Sequence, residues 1–135
     1  MGIEYYIQGY WKGEDSRVLK SDVLRVFGKT ASDEGAYGFF PLHYDERNTC
    51  NLTISEENDL VTGMCIHRPC AHPALYQSIF ECLQSGPFVL FVPGGNAPIV
   101  AQQKVTKRLP LDMIESLGEP VLVFRSEDIQ RTLFG

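Results

Sequence analysis

Cys65, His67, Cys70 and His72 fall within eight residues, the densest grouping of nucleophilic and metal-binding side chains along the chain. Thiolate and imidazole are good zinc ligands. On an extended strand Cys65 and His67 face the same side, because side chains alternate with a period of two. Four ligands this close in sequence have trouble surrounding one tetrahedral ion. Their spacing matches no structural zinc knuckle, and elsewhere only the lone His43 and Cys50 stand ready to complete a site. The expectation is therefore no metal and no cofactor. Cys70 is the candidate reactive thiol. It precedes a helix start, near Arg68 and His67, and a helix dipole with neighbouring cations favours thiolate. A dyad with His67 or His72 would make the protein a small thiol- or metal-dependent enzyme centred on Cys65, His67, Cys70 and His72.

Pro93-Gly94-Gly95-Asn96 has glycines but lacks the lysine and hydroxyl residue of a phosphate loop, and reads as a hairpin turn. The carboxylates cluster as Glu14-Asp15, Asp33-Glu34, Asp45-Glu46, Glu56-Glu57-Asp59 and Glu127-Asp128, each in a turn. Turns crowded with carboxylates can form a solvated rim. They can also form an acidic docking face that speeds and orients association with a basic partner. Tyr10 and Trp11 would then be its aromatic anchors, with Asp45, Glu46, Glu56, Glu57 and Asp59 supplying charge.

The elements that must position these groups follow from periodicity and punctuation. Ile3 to Trp11 alternates as a strand. Ser16 to Phe27 is broadly helical, its start ambiguous between Asp15, Ser16 and Ser21, with Gly28 closing it. Tyr37–Tyr44, Thr49–Ile54 and Leu60–His67 read as a meander of antiparallel strands. His72-Pro73 opens a helix that Gly86-Pro87 ends. Phe88–Val92 is an apolar buried strand, Pro98–Ala101 its return, Pro110–Leu117 a short helix, and Val121–Phe124 a last strand. Ser126 can cap a terminal turn over Glu127–Leu133. The sum is a single α+β domain over residues 1–135, a mixed, mostly antiparallel sheet with two or three helices packed on it.

The bulk numbers agree. A chain of 135 residues, 44% hydrophobic and 21% charged, holds one ordinary core. A net charge of −5 speaks against nucleic acid, and the single short cationic run, Lys104, Lys107 and Arg108, reads as a solvated face. The longest apolar stretch, Phe88–Val92, is far too short to span a bilayer, and Met1–Tyr10 lacks a secretory pattern, so no membrane association and a cytoplasmic location are expected. Four cysteines in a domain of this size fit free thiols in a reducing compartment.

Tyr5–Trp11, Arg68-Pro69-Cys70, Phe91-Val92-Pro93-Gly94-Gly95, Leu109 to Ile114 and Leu117-Gly118 together give the chain a resemblance to small bacterial domains. In size and acidity it is similar to the immunity proteins of bacterial toxin systems. The resemblance implies a protein-binding inhibitor that occludes the basic site of a toxin, with no family residues to carry over. Three readings result: a non-enzymatic, immunity-type binding protein as the leading one, the thiol or metal enzyme as the second, and a structural homo-oligomer as the third. Their balance leans against an enzyme.

Overall fold

A computed structural model describes residues 3–31, 34–35 and 38–134. The strands are β1 (Glu4–Gly9), β2 (Phe40–His43), β3 (Thr49–Glu57), β4 (Leu60–His67), β5 (Phe88–Phe91), β6 (Ile99–Val100) and β7 (Val121–Leu122). The helices are α1 (Lys20–Phe27), α2 (Pro73–Ser85), α3 (Leu111–Leu117) and α4 (Ser126–Phe134). They form a single α+β domain around one seven-stranded sheet of order β2-β3-β4-β1-β5-β6-β7. Every pairing is antiparallel except β6 with β7.

β1 is the central strand, with β4 on one side and β5 on the other. Its alternation decides what each face of the sheet carries. Tyr5 and Ile7 are buried in the larger core, while Glu4, Tyr6 and Gln8 point to the opposite face. β3 and β4 follow the same rule: Leu52, Met64 and Ile66 lie in that core, and Thr53, Cys65 and His67 take the other side. The larger core is closed by buried residues of α1 (Val23, Phe27), α2 (Leu75, Ile79, Cys82, Leu83) and α4 (Ile129). On the second face, a 3-10 helix over Gln103–Lys107 and then α3 cover the β5–β7 half, around buried Val89, Val100, Val105 and Leu109.

Local chemistry sets the joints. Glu57 pairs with Leu60, so Asn58-Asp59 is a two-residue hairpin loop, and both residues have positive φ, as a type I′ turn requires. α1 starts later than Ser16 because the chain first runs extended, with Leu19 bridged to Leu60. Asp22 then accepts the Leu19 N–H at 3.2 Å, and Gly28, at φ 55°, ends the helix. Gly9 leaves room for the Trp11 ring, which would overlap any Cβ there.

Two expectations change. Among the described residues four helices pack on the sheet rather than two or three, because Ser126–Phe134 is a full helix that buries Ile129 and not a terminal turn. The Lys104–Arg108 segment is not a free cationic face. Lys104 Nζ lies 3.0 Å from Asp15, and Arg108 binds both Asp15 and the Tyr10 carbonyl, tying the loop after β1 to the 3-10 helix. The Tyr37 end of the second strand lies outside the described residues; its remainder starts at Phe40.

The Asp15 carboxylate is held far below the usual range by the Arg108 hydrogen bond first and Lys104 second; Asp45 and Asp128 are also lowered, by turn and backbone N–H donors. Native carboxyl pKa values below the unfolded value of ~3.9 mean stability is complete above that pH and is lost as pH falls below it. Denaturant melts should lose midpoint steeply below about pH 4, and Asp15→Asn should lower the neutral-pH midpoint while making that acid limb shallower. Ile79→Ala, in the centre of the larger core, should cost about 2–5 kcal/mol in the same melts.

Candidate metal centre

β1, β4 and β3 lie side by side, and their register assembles a site that no single segment holds. Glu4 and Asn51 flank His67 in one row across the sheet, and Tyr6 and Thr53 flank Cys65 in the next. All of these point to the second face. Glu4, Cys65 and His67 therefore meet there, each offering one ligand atom, with the three atoms within 4.8 Å of one another. Glu4 Oε2 is 2.7 Å from His67 Nδ1 and accepts the Cys65 thiol proton at 3.4 Å; Cys65 Sγ to His67 Nδ1 is 3.9 Å. The other ring nitrogen, Nε2, is 3.0 Å from Thr53 Oγ1, and Phe39 stands edge-on to the ring at 5.0 Å.

The protons follow from these distances. With Nδ1–H donated to Glu4, Nε2 accepts from the Thr53 hydroxyl, and one carboxylate oxygen collects both the imidazole and the thiol protons. Burial first, and then the Glu4 hydrogen bond and charge, push the Cys65 thiol up to about 12. Cys65 is thus a neutral thiol at physiological pH, and His67 turns its acceptor nitrogen away from it toward Thr53. This is poor equipment for a thiolate nucleophile, which needs a lowered pKa and an adjacent base.

It is good equipment for a cation. A dication would displace the thiol proton to solvent while the imidazole proton moved from Nδ1 to Nε2, leaving thiolate, carboxylate and a neutral imidazole that together balance its charge. Tetrahedral zinc bond lengths of 2.0–2.3 Å put ligand atoms ~3.3–3.6 Å apart. The carboxylate–imidazole pair would open by roughly half an ångström and the thiol–imidazole pair close by less. The Thr53 hydroxyl can reverse its role and accept from Nε2–H, which is the outer partner that orients a metal-bound histidine. The Glu4 and His67 side chains retain 38% and 27% of their exposure, so the outward side of the cluster is open to solvent.

The sequence grouping of four residues is thereby divided. Cys65 and His67 belong to this cluster; Cys70 and His72 lie beyond the end of β4, at the opposite face. His72 caps α2, its Nδ1 accepting from the Ala74 N–H at 3.1 Å, and its ring stacks on Tyr44 at 5.4 Å. Cys70 Sγ is 4.0 Å from Cys50 Sγ. The missing ligand that argued against a metal is Glu4, 61 positions from Cys65 in the chain. Its only sequence trace is that it shares a strand face with Tyr6 and Gln8. The leaning toward a non-enzyme is corrected by this cluster, since three ligand-type side chains converge at metal-holding spacing.

The residues named for docking lie apart. Asp45 and Glu46 are in the β2–β3 turn, while Glu56, Glu57 and Asp59 are at the other end of β3, some nine residues or ~26 Å away. Asp45 is occupied by the Arg47 and Asn48 backbone N–H groups and the Asn48 amide, and Glu56 by Lys20 at 3.3 Å. Tyr10 packs with the second-face cluster, whereas Trp11 lies on the larger core, edge-on to Phe88 at 5.1 Å with Arg17 over its ring.

In the metal-free protein an alkylating reagent at pH 8 should modify Cys65 at least about tenfold more slowly than an unhindered thiol, since little of it is thiolate. Glu4→Gln, which removes the charge that raises the thiol, should speed that reaction; an unchanged rate in mass-resolved alkylation would contradict the account of the cluster. Comparison of the chain with protein-family models, with curated proteins and with solved structures gives no match.

Proposed function

We propose that the protein is a metal-dependent enzyme whose ion, of the zinc class, is held by Cys65 Sγ, His67 Nδ1 and Glu4 Oε2 and carries water at its fourth position. The observation that carries this reading is the convergence of three ligand atoms of three different types on one partly open patch of sheet. Structural zinc sites close with four protein ligands; catalytic ones keep three and leave a position for water or substrate. An ion so held acidifies its water and polarises a carbonyl or phosphoryl oxygen, which is hydrolytic or Lewis-acid chemistry. The protein's own part is to place the ligands. Two adjacent strands of a hydrogen-bonded sheet hold Cys65, His67 and Glu4 more rigidly than loops would, and Thr53 fixes the imidazole ring. Phe39 on one flank, and the Tyr6–Phe91 stack at 5.6 Å on the other, supply apolar walls for a substrate.

Titration of the purified, metal-stripped chain with zinc(II) and cobalt(II) tests the reading. One ion per chain is expected, with a thiolate-to-cobalt charge-transfer band that is absent in Cys65→Ala. Cys65→Ala and His67→Ala should weaken binding roughly 100-fold or more, and Thr53→Val about tenfold, as outer partners do. Absence of saturable binding, or binding indifferent to Cys65→Ala, would refute the site. Turnover of activated esters or phosphoesters that a chelator abolishes and His67→Ala lacks is the expected activity. An ion bound with no turnover of either class would remove the enzymatic part.

A further inference from the structure

Cys50 and Cys70 are the other pair of chemistry-bearing groups, and nothing in the metal reading uses them. Cys50 is on β3, buried at 5% exposure on the larger-core face. Cys70 is partly buried in the Arg68–His72 connection between β4 and α2, packed against the same core. Their sulfurs are 4.0 Å apart, van der Waals contact for two thiols, and both are free.

Several contacts hold them there. Arg68, at φ 54°, turns the chain off the end of β4, and its N–H donates to the Ile3 carbonyl at 3.2 Å. The Tyr76 hydroxyl donates to the Cys70 carbonyl at 3.2 Å and is itself 3.0 Å from the Tyr5 hydroxyl. His72 then caps α2. Cys70 is thus pinned from β1 and α2 while Cys50 is pinned by the β2 ladder, opposite Leu42. A disulfide needs the sulfurs ~2.05 Å apart, so closure asks for about 2 Å of approach, within the reach of side-chain rotation and a small loop movement.

We infer that Cys50 and Cys70 are a dithiol–disulfide site, oxidised by low-molecular-weight disulfides and closed into an intramolecular bond. The reaction balances in two exchanges. Cys70, the more exposed thiol, attacks as thiolate on one sulfur of the small disulfide, forming a mixed disulfide and releasing one small thiolate. Cys50 then gives up its proton to solvent and attacks the Cys70 sulfur, releasing the second small thiolate. The protein has lost two protons and two electrons, and the small disulfide has become two thiols. The pair is 20 positions apart, and the segment it would close contains Thr53, Cys65 and His67. Oxidation would therefore clamp the β3–β4 hairpin that carries Cys65 and His67, two of the three proposed ligands, without touching them. Burial raises the Cys50 thiol whatever the state of Cys70, so the second exchange is the slow one and its rate should rise about tenfold per pH unit from 7 to 9.

Incubation of the reduced, metal-free protein with oxidised glutathione, followed by intact-mass and peptide mapping, decides the matter. The expected product is lighter than the reduced chain by about 2 Da, keeps two of its four thiols, and yields a Cys50–Cys70 linked peptide. Its Tm should rise by roughly 5–10 °C on closing a loop of this length. Cys65→Ser should form the same product, which separates this site from the metal centre. A glutathione adduct that persists on Cys70 without closure, or a link that involves Cys65 or Cys82, would overturn the inference.

Discussion

Everything in this molecule depends on β1 being paired on both edges in one register. Opposite β4 it sets Glu4 against His67 and Tyr6 against Cys65; opposite β5 it sets Ile7 against Leu90. A slip of one residue would carry Tyr5 and Ile7 to the second face and bring Glu4 into the core, an exchange that buried apolar residues and a charged one make very costly. The hydrophobic pattern that folds the sheet is therefore the same constraint that collects Glu4, Cys65 and His67. No separate device is needed to hold Glu4 near a cysteine 61 positions away.

The electrostatics of the cluster have two signs depending on what fills it. With protons alone, the Glu4 carboxylate is a like charge to the Cys65 thiolate and keeps the thiol neutral. With a dication between them, the same carboxylate is part of the neutralising set. The arrangement is costly as a bare dyad and favourable as a ligand set, which is why geometry and protonation point the same way here. The apolar coverage contributes too. The 3-10 helix and α3 occupy the β5–β7 half of the second face and leave the cluster's half open toward solvent among the described residues.

Much of this was legible in sequence. The alternation of Ile3, Tyr5 and Ile7 with Glu4, Tyr6 and Gln8, the Leu60–His67 strand, the Pro73 helix start and the Gly28 stop all act within a few residues, where propensity and sterics suffice. The α+β class and the antiparallel meander β2-β3-β4 follow from them. The position of β1 between β4 and β5 did not, because it depends on contacts between segments some 55 to 85 positions apart, and such pairings leave no local mark. That gap hid Glu4. It also lent Cys65, His67, Cys70 and His72 a false unity: sequence proximity placed them together, while the end of β4 sends the last two elsewhere. Lys104 and Arg108 were misread for a related reason, since a cationic run looks solvated until Asp15 is found beneath it.

β4 writes to both faces of the sheet at once, Cys65 and His67 outward and Met64 and Ile66 inward. Because side chains alternate from Met64 to His67, past the register shift that puts Val61 in the larger core, the two sets of positions are close to independent in what they can accept. Substitutions at Cys65 and His67 can retune the proposed ion site, or abandon it, while Met64 and Ile66 go on filling the same interior. The scaffold can thus change its chemistry by drift on one side of a single strand, and lineages that share this interior need not share a reaction.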